Sequence, residues 1–129
     1  MPDRPDAMET LHDTSVWICA AEGTPIRTVR DTLDLIGEAG YRGANWVVLP
    51  AARLDPDFFR LRTGVAGDVL QKFADYRMRV AILGDITEYT AASEPLTDFV
   101  RECNRGRHVW FGADLEALTA RLAEEGLAE

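Results

Sequence analysis

A single α/β domain with a mostly parallel sheet and helices packed on both faces is predicted by three features of this 129-residue chain. Short apolar runs alternate with amphipathic segments, the strand-helix order of a parallel sheet with right-handed crossovers. The runs Trp46-Val47-Val48-Leu49 and Val80-Ala81-Ile82-Leu83 are apolar at every position, as strands covered on both sides must be. Helix-start signals with a capping residue and a nearby proline recur at Thr24-Pro25, Asp55-Pro56 and Ser93-Glu94-Pro95.

Residues 1–7, with two prolines and mixed charge, are expected as a flexible end, and residues 8–129 as one domain. Met8 to Leu11 reads as a short edge strand, His12-Asp13 as a turn and Val16 to Ala20 as the first inner strand. Thr24 is placed as N-cap and Pro25 as the first residue of a helix. Ile26, Val29, Leu33 and Ile36 form its core stripe, Arg27/Asp31 and Arg30/Asp34 its outer pairs, and Gly40 its stop. A strand over Asn45 to Pro50 leads to Asp55-Pro56, which starts one turn burying Phe58, Phe59 or Leu61. The spacing of Val65, Val69, Phe73 and Tyr76, with Leu70 beside them, predicts a helix over 64–77.

Arg79 to Gly84 forms the next strand, and Asp85 to Ala92 reads as a polar loop. Ser93 opens a helix with Leu96, Phe99, Val100 and Cys103 on one face, closed by Asn104-Arg105-Gly106. His108 to Gly112 is the last strand. Asp114 caps a final helix that turns Leu115, Leu118 and Leu122 to the core and Glu116, Glu124 and Glu125 to water. Strand order is not encoded in this pattern, but the loops from strand ends to helix starts must share one edge. That edge carries Glu22, Arg53, Arg60, Arg62, Thr63, Asp85 and Glu88, and ligands of open α/β sheets bind there.

Composition narrows the function classes. A net charge of −8 opposes binding to nucleic acid and to anionic membranes. No apolar run approaches the roughly 20 residues of a membrane span, and the start lacks the basic-then-apolar order of a secretory signal, so a cytoplasmic protein is expected. Cys19 and Cys103 have no partners at metal-ligand spacing, so neither a metal nor a disulfide framework is expected. Asp114 to Glu129 has a net charge of −4, whereas Arg53 to Arg79 has a net charge of +2. That basic island suits a small anion or an acidic protein patch, and also suits ordinary solvated ion pairs.

The layout over about residues 8–125 resembles the STAS fold of sulfate transporters and anti-sigma-factor antagonists. The likeness rests on the element order, the long helix after a strand and an apolar turn, and the short last strand followed by a C-terminal helix. More closely, Glu22-Gly23-Thr24-Pro25-Ile26, Trp46-Val47-Val48-Leu49-Pro50, Arg60-Leu61-Arg62-Thr63-Gly64 and Phe99-Val100-Arg101-Glu102-Cys103-Asn104-Arg105-Gly106 resemble a small bacterial family, domain of unknown function 4180. This resemblance implies a STAS-like architecture and no reaction. In anti-sigma antagonists a Ser or Thr at the start of the equivalent helix accepts a phosphoryl group beside a surface that binds a kinase partner; Thr63 matches that position. Those proteins usually place an acidic residue before the acceptor. Arg62 stands there instead, which argues against phosphorylation and for a site that favours an anion.

The main candidate site is therefore the rim around Arg53, Arg60, Arg62, Thr63, Gly64 and Gly67. Unpaired N–H groups at a helix start attract phosphate or carboxylate, and Gly64 and Gly67 admit a ligand or another backbone closely. Close packing on the sheet or relief of crowding by Phe58 and Phe59 explains the same glycines without a ligand. A second group comprises Asp85 and Glu88, as an acid/base pair, with Glu102, Asn104 and Arg105. Asn104 and Gly106 are also ordinary helix terminators, and Arg105 complements the helix dipole. Only His12 and His108 are available to activate Cys103, and neither stands in a recognisable pairing.

The resulting expectation is a binding or regulatory module without cofactor, engaging a protein partner or small anion, with homodimerisation compatible. The alternative is a small-molecule enzyme or accessory protein with Asp85 or Glu88 as general base.

Overall fold

The computed structural model describes residues 6–128. Its sheet has five strands in sequential order: β1 (Ala7–Leu11), β2 (Thr14–Ile18), β3 (Trp46–Pro50), β4 (Arg79–Leu83) and β5 (Val109–Gly112). β1 is the expected edge strand and pairs antiparallel with β2 through a turn at His12 and Asp13, both with positive φ. β2 to β5 are parallel, with Trp17 beside Val47, Val47 beside Val80 and Ile82 beside Phe111. The expected flexible end lies largely outside the described residues. Ala7 already belongs to β1, and Asp6 accepts a hydrogen bond from the Ala20 N–H.

Parallel neighbours in sequential order send crossovers of one hand over the same face. Accordingly α1 (Val29–Tyr41), α2 (Val65–Asp75) and α4 (Glu94–Arg105) share a core with the Trp17, Val47, Leu49, Val80, Ile82 and Phe111 side of the sheet. α3 (Thr87–Ala92) is a short helix leading into α4, and its Tyr89 packs against the same core. The other face, Val16, Ile18, Trp46, Val48, Ala81 and Leu83, is covered by α5 (Leu115–Ala128) through Leu118 and Leu122. Both faces are buried, which is why β3 and β4 are apolar throughout.

Several local expectations are corrected. The first helix begins four residues later than Thr24 predicts, because Ile26 is held extended against Leu54: its N–H donates to the Arg53 carbonyl and its carbonyl accepts from the Asp55 N–H. Thr28 is the N-cap and forms a reciprocal capping box with Asp31, and Val29 is exposed instead of buried. Gly40 does not stop the helix, which runs on to Tyr41. α2 ends at Asp75, leaving Tyr76 exposed and not on the core stripe. Residues 87–92 are helical, not a loop. Glu125 does not face water alone: it accepts hydrogen bonds from Arg79 (2.9 Å) and Arg121 (3.4 Å), and the Arg79 guanidinium also lies over the Trp46 ring. Burial, the largest influence, raises the Glu125 carboxyl pKa, but Arg79 and then Arg121 outweigh it and leave a lowered value.

The capping box supports a prediction. Hydrogen bonding, chiefly from the Thr28 backbone N–H, lowers the Asp31 carboxyl pKa. Asp31→Ala is expected to cost about 1 kcal/mol at neutral pH in urea unfolding. Because the folded pKa is depressed, that stabilisation is present above the unfolded carboxyl range and is lost as pH falls through the folded value. The gap between variant and parent should therefore close in acid.

Candidate functional site

The chain leaves β3 through three consecutive 3-10 turns, Ala51–Arg53, Pro56–Phe59 and Leu61–Thr63, before α2 begins. Asp55 caps the second turn through the Asp57 N–H, Pro56 fills its first position, and Phe58 and Phe59 are buried as expected. Phe58 anchors the turn in the core and meets Phe59 edge-on at 5.1 Å. Phe59 in turn stacks on Tyr89 of α3, with ring centroids 4.4 Å apart and planes 11° from parallel. This aromatic pair ties the connection after β3 to the connection after β4.

Beside the pair lies a cavity of about 730 Å³. Arg60, Leu61 and Arg62 line it from the turns, Glu88 and Ala92 from α3, and Ser93 and Pro95 from the start of α4. A cavity of this size, with apolar walls and a few charged groups, has the general form of a small-molecule site. Arg60 is engaged with Asp57 (2.9 Å), which also receives Arg27 (3.2 Å). These hydrogen bonds, Arg60 first, lower the Asp57 pKa. The side chains of Arg62 and Glu88, both exposed, make no hydrogen bond or ion pair with any described residue.

The remaining candidates separate. The Arg53 guanidinium donates to the carbonyls of Thr24 (2.9 Å) and Ala20 (3.0 Å), fastening the loop between β2 and α1. Gly23 has φ +141°, which favours glycine, and a Cβ there would lie 2.7 Å from that guanidinium and displace it. The Thr63 hydroxyl donates to the backbone carbonyls of Asp57 and Arg60 and accepts from the Val65 N–H. Gly64 has φ +81° and carries the chain from the third turn directly into α2. Space beside Gly67 is open, so close packing of α2 on the sheet does not explain this glycine. Thr63, Gly64 and Gly67 flank the cavity in sequence without lining it.

Asp85 borders a different cavity of about 490 Å³. Its carboxylate accepts from the hydroxyl (2.6 Å) and backbone N–H (2.9 Å) of Thr87, and these bonds, the hydroxyl first, lower its pKa. A carboxylate held this way is a weak general base. Glu102 and Arg105 pair with each other at 3.3 Å on the surface. Asn104 is structural: its amide donates to the Phe111 carbonyl (3.0 Å) and its oxygen accepts from the Phe111 N–H (2.8 Å). Arg121 closes the end of α4 by donating to the carbonyls of Asn104 and Gly106. Burial pushes the Cys19 thiol up to about 12, and burial followed by the charge of Glu102 raises Cys103, so neither is an activated thiolate.

Sequence reasoning missed Tyr89 as the stacking partner of Phe59, whereas Arg62 and Glu88, placed on one sheet edge from the sequence, do line one cavity. A local signal was present at Asp85-Ile86-Thr87, where the Asp85 carboxylate accepts from the Thr87 N–H two residues on and turns the chain just ahead of α3, whose N-cap is Ile86.

No helix among the described residues is long and apolar enough to cross a membrane. Neither a curated protein nor a solved structure matches the chain. A family model, the domain of unknown function DUF4180, matches residues 11–122, from the end of β1 well into α5. With nearly all of the folded unit covered, the chain belongs to the DUF4180 family.

Proposed function

We propose that this protein is a STAS-like binding module whose cavity between the turns after β3 and the start of α4 takes a small molecule through an anionic group. The STAS-like reading is supported by the sequential parallel strands, the N-terminal edge strand, α2 after an apolar turn, and short β5 followed by α5. The observation that carries the binding reading is Arg62: a guanidinium without a partner among the described residues, on the wall of a largely apolar cavity of about 730 Å³. Such a fork offers charge-assisted, bidentate hydrogen bonds to carboxylate or phosphate. Arg60 is a secondary contributor because Asp57 already engages it. The concave shape favours a small ligand over a flat protein patch. The lowered Asp85 pKa weighs against catalysis at that residue.

The test is calorimetric titration with small aryl carboxylates and phosphate monoesters. Arg62→Ala is expected to weaken binding by about ten-fold or more, from loss of a charged hydrogen bond. Arg53→Ala should leave affinity unchanged while lowering the melting temperature, since Arg53 holds the neighbouring loop. Affinity unmoved by both Arg60→Ala and Arg62→Ala would remove this cavity from consideration.

A further inference from the structure

We infer that the ligand of this cavity is a zwitterion, carrying an ammonium group for Glu88 as well as an anionic group for Arg62; the inference rests on the cavity reading above. Arg62 and Glu88 line the same cavity, on opposite connections of the sheet edge, and neither is neutralised by another described residue. They do not pair with each other either, although both are long, exposed side chains. With Arg60 balanced by Asp57, the unpaired charges facing the cavity are one cation and one anion. A simple anion satisfies Arg62 and meets repulsion from Glu88, whereas a molecule with both poles satisfies both. Phe59, Leu61, Tyr89 and Pro95 supply apolar wall for the body of such a molecule. The chemistry points to a free amino acid or a related amine-bearing acid with an apolar or aromatic side chain.

Isothermal titration with phenylalanine and with 3-phenylpropionate, the same body without the ammonium, separates this inference from the broader reading. Wild-type protein is expected to bind phenylalanine about five-fold more tightly, the scale of one solvent-exposed ion pair. Glu88→Gln should erase that difference by weakening phenylalanine alone, and Arg62→Ala should weaken both compounds. Glu88 is exposed and unpaired, so the Gln variant should melt as wild type does. Equal affinities for the two compounds, unaltered in Glu88→Gln but reduced in Arg62→Ala, would overturn the zwitterion and leave the anion site standing. Failure of both compounds to bind would overturn the cavity reading and the inference with it.

Discussion

Phe58→Ala is expected to destabilise the protein by about 3–5 kcal/mol, measured by urea unfolding, and to abolish ligand binding at temperatures where wild type still binds. Phe58 has no solvent exposure and is the anchor of the turn between β3 and α2. Its removal empties space in the core that Phe58 shares with Val69 and Phe73, and deprives Phe59 of its edge-on partner. The Phe59–Tyr89 stack then loses its backing, and with it the alignment of the two cavity walls. A domain of this size has a total stability of about 5–15 kcal/mol, so the variant sits near the folding threshold. Phe58→Leu, which keeps most of the volume, should cost only about 1 kcal/mol and retain binding. A loss below about 1 kcal/mol in Phe58→Ala would show that the turn is not seated in the core as described.

The second large effect is expected at Asn104. Asn104→Ala should cost about 2–3 kcal/mol, because it leaves the N–H and carbonyl of buried Phe111 without their partners. β5 is an edge strand, and the Asn104 side chain does for Phe111 what a sixth strand would do. Asn104→Asp keeps the acceptor but sets a carboxylate against the Phe111 carbonyl, so it should be no better tolerated. Glu102→Ala and Arg105→Ala, which break only a surface pair, should stay within about 0.5 kcal/mol of wild type. Equal stability of all four variants would return this segment to consideration as a binding surface. None of the four should alter affinity at Arg62, since Pro95 and Asn104 are separated by about 14 Å of helix axis.

Two of the corrections share a cause. Thr24-Pro25 and Thr28-x-x-Asp31 are both competent helix starts by local chemistry, and the second prevails because Ile26 is drawn into an extended contact with Leu54, 28 positions away. Tyr76 continues the helical stripe of Val65, Val69 and Phe73, but α2 ends one residue earlier and Arg77 turns the chain with φ +55° toward β4. Glu125 lies on what looks like a polar stripe of α5, yet its carboxylate is tied to Arg79 at the start of β4. At Ile26 and Glu125 a distant contact outweighs a local preference worth about 1 kcal/mol or less, whereas α2 is closed locally, with the Met78 N–H donating to the Phe73 carbonyl.

The candidate site divides the same way. Arg53, Arg60 and Arg62 are three arginines on one stretch of chain, alike in chemistry. Their difference arises from what stands opposite: two carbonyls for Arg53, Asp57 for Arg60, and open cavity for Arg62. Hydropathy period, capping residues and prolines are local quantities, so they establish the α/β class, an N-terminal edge strand and most element positions before any packing is known. Which charges cancel, which side chains stack and which walls enclose a cavity are properties of segments that meet only after the sheet is assembled. Tertiary packing therefore set Glu88 and Arg62 on the wall of one cavity, brought Tyr89 to Phe59, and turned Asn104 from a helix stop into the guard of an exposed strand edge.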